Sequence, residues 1–298
     1  MSEAGKGIAA MAAACTVWGL SSIYYKMLDH VPPLEVLAHR TIWSFLFFAA
    51  VLMLQRRFFM LRRALSGGRA ALVVGMAALL ISTNWFFFIS AIQIGQAVEA
   101  SLGYYIFPLA SVMLGAIFFR ERLGRAQLLA VGLAALAVTI LTAGLGVAPW
   151  VSLALAASFA LYGVVKKWIS VGPVVSVTAE VLLLSPIALA VLWRVHGQGG
   201  GHFGAGLTDS LLLVASGPLT GMPLILFSYA TRRLMLASVG LLQYINPTLQ
   251  FVVAVLIFRE AVSPWHAVAF ALIWTALAIY TAAAWRQDRA ARRLVARS

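Results

Sequence analysis

Only nine of the 298 residues are acidic, yet Glu35, Glu99 and Glu180 lie in or at the start of long apolar runs, and His39 and Arg40 share this setting. Ionised groups inside a membrane are costly, so they normally face a cavity or a partner. Glu35 and His39 stand four apart, which puts them on one helix face and could supply two metal ligands. A zinc centre takes at least three protein ligands, and no matching cluster stands elsewhere, so no metal is expected. His39 is left as a gating or substrate contact, or as a packing histidine. Glu99 opens a helix, where the positive end of the dipole favours a carboxylate. The other reading of Glu99, and of Glu35 behind Pro32 and Pro33, is proton coupling.

The elements that hold these residues follow from composition. The chain is 62% hydrophobic and 10% charged, against about 25% charged in soluble domains. A bilayer core about 30 Å thick needs about 20 apolar helical residues. Apolar runs at 7–28, 34–54, 70–94, 97–119, 125–144, 148–168, 174–194, 209–231, 237–258 and 264–285 supply ten crossings. The fold class is therefore an all-α integral membrane protein. With the N-terminus inside, eighteen Lys and Arg residues fall on the cytoplasmic side and three (Lys26, Arg194, Arg259) outside, Arg40 lying within a span. Both termini are thus expected in the cytoplasm, with the glycine-rich stretch 197–206 as a flexible external loop.

The net charge of +13 is spread between apolar runs and over the C-terminal tail, so nucleic acid is not an expected partner. The lone Cys15 excludes an internal disulfide. No Walker-type glycine loop, His-Glu-x-x-His or nucleophile elbow is present, so neither cofactor nor enzymatic activity is expected. An intramembrane enzyme built on Glu35, His39 and Arg40, and a passive channel, stand as alternatives to a carrier.

A shift of 139 places Tyr105 on Tyr244, Pro108 on Pro247, and Phe119-Arg120-Glu121 on Phe258-Arg259-Glu260. Shifts of 140 to 141 place Pro33 on Pro173 and the interval Trp18–Lys26 on Phe159–Lys167. The chain is read as two five-helix halves, 1–145 and 146–298, inverted relative to each other because five is odd. Inverted repeats characterise secondary transporters, with the substrate site at midplane between the halves.

Arg40 and Glu180 each lie seven residues after a repeated proline. They are expected to pair near a central cavity, where a zwitterionic substrate exchanges partners with them, or else to bridge the halves structurally. Trp18, Tyr105, Tyr162 and Tyr244 are the favoured aromatic cavity residues. Gln243 and Asn246 offer amides for a polar substrate, whereas Asn84 suits interhelical bonding. Pro108 and Pro247 each remove a helical hydrogen bond and are read as paired hinges.

The stretches VWGLSSIYYK (17–26), HRTIWSFLFF (39–48), EASLGYYIFP (99–108) and LQYINP (242–247) resemble the drug/metabolite transporter superfamily, and within it the RarD-like branch of EamA-type permeases. The resemblance covers essentially the whole chain. It implies an inner-membrane exporter of small metabolites, amino acids or drugs, cycling without ATP hydrolysis, with the first helix of each half lining the cavity. Lipid and a small amino-acid-like or amphipathic solute are the expected partners, with protons as a further one. Oligomeric state is open, and a monomer would suffice.

Overall fold

A computed structural model of the chain describes residues 2–120, 123–234 and 236–295. Among them are twelve α-helices and no strand. They are α1 (Glu3–Lys26), α2 (Pro33–Leu54), α3 (Met60–Ala64), α4 (Gly68–Gln93), α5 (Ala97–Phe119), α6 (Arg125–Leu145), α7 (Trp150–Lys166), α8 (Pro173–Gly197), α9 (Leu207–Thr231), α10 (Leu236–Gln243), α11 (Ile245–Val252) and α12 (Pro264–Val295). A π-helical turn, Val253–Ile257, extends α11, so α10, α11 and this turn make one span. Nine described spans are long and apolar enough to cross a bilayer; α7, with 17 residues, is the short tenth. The short α3 was not apparent in the sequence.

Contacts between loops sort by face as ten alternating crossings require. Arg233, in the α9–α10 turn, donates to Glu3 at 2.9 Å, which sets that turn beside the chain start on what we call the terminal face. On the opposite, distal face the α1–α2 turn meets Gln93 at the end of α4. There too His30 meets Asp209 at the start of α9.

The two halves interleave. α2 packs on α8 and α6 on α12, each the counterpart of the other in the repeat. α1 packs on α9 and α11, and α7 correspondingly on α4 and α5. Neither half therefore has a core of its own. Backbone detail follows the repeat as well: Arg120, after α5, and Arg259, at the equivalent position, adopt φ of 53° and 56°. That left-handed conformation is unfavourable for a residue with a Cβ. The equivalent Glu121 lies outside the described residues.

Small residues let the halves approach, because lipid tails provide no hydrophobic drive between helices and close packing must supply it. A Cβ on Gly19 of α1 would stand 2.6 Å from the Leu249 Cβ of α11, and one on Gly103 of α5 would stand 2.8 Å from the Ser152 carbonyl of α7.

The two copies of Tyr-x-x-Pro differ. α5 runs unbroken through Pro108, whereas the helix chain is interrupted at Tyr244, so that Pro247 sits in the first turn of α11. Proline lacks an amide hydrogen, and the first turn has no intrahelical partner for one, so Pro247 is relieved of the cost that Pro108 carries.

Candidate functional site

The repeat-equivalent tyrosines meet. Tyr105 and Tyr244 stack with ring centroids 6.4 Å apart at 18°, and the Tyr105 hydroxyl bonds the Thr248 hydroxyl at 2.6 Å. Both line a groove of about 680 Å³ between α5, α10–α11 and α12, together with Trp274, Ser238 and Thr281, open to the outside at Leu241 and Trp274, which are 58% and 47% exposed. The tyrosines come from mid-helix, while Ser238 and Thr281 lie toward the terminal face, so the groove runs from mid-depth toward that face.

On the other side of α5, Tyr104 belongs to a second assembly. Its hydroxyl donates to Asn84 Oδ1, and Asn84 donates to the Leu155 carbonyl and the Ser158 hydroxyl, which joins α4, α5 and α7. Rings continue in both directions: Tyr25 to Phe88 at 5.8 Å, Phe88 to Tyr104 at 5.7 Å, Tyr104 to Phe159 at 5.9 Å and Phe159 to Tyr162 at 6.0 Å. This aromatic column ends on charge at both ends.

At its distal end Arg40 donates to the Tyr25 hydroxyl at 2.7 Å and lies 4.0 Å from the centroid of the Trp85 ring. At the other end, Glu180 accepts from Lys166 at 2.7 Å, Ser176 at 2.7 Å and Tyr162 at 3.0 Å, with Lys166 also against the Ser176 hydroxyl. The expected pair of Arg40 with Glu180 is thus not formed. Seven helical residues span about 10 Å, so each group lies about that far in from its own face. Because the halves are inverted, the two are counted in from opposite faces, and their side chains turn to different partners. Instead each half builds its own bridge from first to second helix: Tyr25–Arg40 in one, and at shifts of 141 and 140, Lys166–Glu180 in the other.

Glu35 and the external loop also depart from expectation. Glu35 is fully buried, and its carboxylate accepts from the His202 amide at 2.8 Å and meets His202 Nδ1 at 2.9 Å. The glycine-rich stretch is therefore pinned rather than loose, with Phe203 against His39 at 5.0 Å and Trp43 at 6.0 Å. His39 thus touches the loop. Glu35→Ala should raise the rate of limited proteolysis within 197–206 several-fold while the helices stay protected; an unchanged digestion pattern would show that the loop is held by other contacts.

Glu99 does stand in the first turn of α5, but side chains of other helices hold it. Its carboxylate accepts from Ser152 of α7 at 2.5 Å and meets His266 of α12 at 3.0 Å. The cap comes from 163 residues away: Glu260 accepts from the amides of Ala97 and Val98, both at 2.8 Å. A carboxylate on two free amides at the positive end of a helix is a strong, charge-assisted arrangement. Glu99, His266 and Glu260 together close the distal ends of α5, α7 and α12.

Trp18 packs on Phe227 of α9, away from both assemblies, at 5.8 Å. Asn246 accepts from Gln250 at 3.0 Å, and half-buried Gln243 is the last residue of α10 before the break. Lys166, Glu260, His202 and His266 were missed, and Tyr25 and Trp85 were weighed among the aromatic residues but not favoured. Shifting by 141 puts Lys166 on Tyr25, which was the available signal for both; the other four engage partners distant in sequence.

A model of the EamA-like transporter family matches residues 5–143. "Uncharacterized transporter YojE" of Bacillus subtilis is 40% identical, the match covering 97% of this chain and 98% of that one. This chain is a RarD-like member of the EamA-like transporter family. The family member "Protein RarD" of Streptomyces exfoliatus is 41% identical over 94% of this chain and 89% of its own, and that of Escherichia coli K12 is 37% identical over 92% and 93%. A solved crystal structure of a protein 21% identical to this RarD-like chain shares its fold, with a TM-score of 0.63 over 94% of this chain and 97% of that one.

Proposed function

We propose that this protein is a bacterial inner-membrane carrier that exports a small amino-acid-like or amphipathic metabolite by alternating access, with both termini in the cytoplasm. The observation that carries this reading is an asymmetry between equivalent parts. The groove beside Tyr105 and Tyr244 runs toward the terminal face, while Glu260, Glu99 and His266 tie the distal ends of α5, α7 and α12 together. One fourth helix is continuous, and its counterpart carries a one-residue turn at Tyr244 whose backbone stays right-handed helical. Exchange of these two states between the halves would close one face and open the other. The charge distribution supports a cytoplasmic terminal face, so the groove is an inward-facing entrance, with residues 1–145 and 146–298 as the exchanging halves.

Proton coupling is assigned to Glu99 rather than Glu35, because Glu99 and His266 join helices that must separate for the distal face to open, whereas Glu35 holds a loop. In proteoliposomes loaded with unlabelled amino acids, labelled counterpart should enter by saturable counterflow. An outside-acid gradient should accelerate export, and Glu99→Gln should abolish that acceleration while sparing counterflow. Flux without saturation or counterflow would point to a channel, and conversion of the solute to a new compound would point to an enzyme.

A further inference from the structure

Arg40 has no carboxylate partner among the described residues. Glu35 is engaged by His202, Glu99 by His266, Glu180 by Lys166, and Glu260 by the first turn of α5. Glu3, Asp29 and Asp209 are paired at the two faces. Arg40 itself meets a phenol and an indole, Tyr25 and Trp85. A cation over an aromatic face recovers about 2 kcal/mol when desolvated, less than the several kcal/mol that burying an ion costs.

Arg40 is 7% exposed, and its buried Nε has no hydrogen-bond acceptor among the described residues. Ser44, four residues on and so on the same face of α2, is fully buried with an equally unpartnered hydroxyl. Unpaired buried donors each cost about 1–3 kcal/mol, and two on one helix face beside an uncompensated cation mark a place for an anion. The Nε edge of a guanidinium presents two parallel N–H groups, the fork that fits a carboxylate. The guanidinium already lies against the Tyr25 hydroxyl and the face of Trp85, aromatic surroundings that suit an apolar or aromatic body on the acid.

We propose that the Nε edge of Arg40 and the Ser44 hydroxyl bind the carboxylate of the transported solute, whose class is small organic acids with an apolar or aromatic body, amino acids among them. This rests on the carrier reading above. An α-amine is not a requirement, because Glu180, at the other end of the aromatic column, is already neutralised by Lys166.

The test is isothermal titration of the purified protein with phenylacetate, phenylalanine and indole-3-acetate, each compared with its primary amide. At least one acid should bind about tenfold or more tightly than its amide, phenylacetate should do as well as phenylalanine, and Arg40→Gln should erase the preference. Arg40→Lys, which keeps the charge and loses the fork, and Ser44→Ala should each reduce it several-fold, so the proposal can be judged even if the glutamine variant does not fold. Absence of any acid preference in the parent protein, or its persistence in Arg40→Lys and Ser44→Ala, would overturn the proposal. Acid-selective binding lost on these changes but without counterflow would uphold the carboxylate site and sink the carrier reading. Counterflow without acid preference would do the reverse.

Discussion

Replacing Lys166 by methionine, or Glu180 by leucine, should each destabilise the protein by about 2–4 kcal/mol, and the double replacement should cost less than either single change. Glu180 is fully buried and takes three donors, so removing Lys166 leaves a carboxylate with hydroxyl partners only. Removing Glu180 strands an ammonium whose side chain is 23% exposed and which reaches water in part. A stranded partner accounts for most of the loss when a buried pair is broken, which is why removing both restores stability. Reversible unfolding of the four proteins in mixed micelles measures the coupling. Arg40→Leu combined with Glu180→Leu should instead be additive to within about 0.5 kcal/mol, because these groups share no partner. Strong coupling between Arg40 and Glu180, or plain additivity between Lys166 and Glu180, would contradict the arrangement of two separate bridges.

Glu260→Gln should have the larger functional effect. The neutral amide keeps one acceptor oxygen for two amides that now have two, and it removes the negative charge from the positive end of α5. A loss of about 1.4 kcal/mol confined to the distal-closed state shifts the balance of states tenfold toward the distal-open one. Counterflow in this variant should therefore change its maximal rate, while its unfolding free energy falls by about 1–2 kcal/mol. An unchanged rate with a lowered stability would mean that Glu260 caps α5 equally in both states and does not gate.

What the sequence disclosed about these groups depended on how local their interactions are. Ten crossings were readable because each is a single apolar run, and the inversion was readable because Tyr105, Pro108 and Arg120 recur 139 residues later. The meeting of Tyr105 with Tyr244 fits that symmetry, since an axis in the membrane plane can bring equivalent positions together. The same symmetry misled for Arg40 and Glu180, which lie almost as far in from their faces as the tyrosines do but are taken up within their own halves, by Tyr25 and by Lys166. The turn at Tyr244 was hidden because both copies carry the same proline. Glu260 was visible as part of a repeated Phe-Arg-Glu, but its partners lie across the other half, beyond any local pattern. Lys166 was counted as a topological charge, and only its depth beside Ser176 and Tyr162 shows that it is a buried partner.

The central claim is that the two faces open in alternation, and reciprocal cysteine accessibility tests it most directly. In a background with Cys15, which is buried, replaced by alanine, Ala97→Cys reports on the distal seal, where the native side chain is 1% exposed. Ser238→Cys reports on the groove near the terminal face. Labelling with an impermeant maleimide is compared with and without Glu260→Gln, in vesicles of each orientation. The account predicts that Glu260→Gln raises labelling at position 97 from the distal side and lowers it at position 238 from the terminal side by a similar factor. Labelling that rises at 97 while staying unchanged or rising at 238 would mean that the faces open independently, which contradicts alternating access.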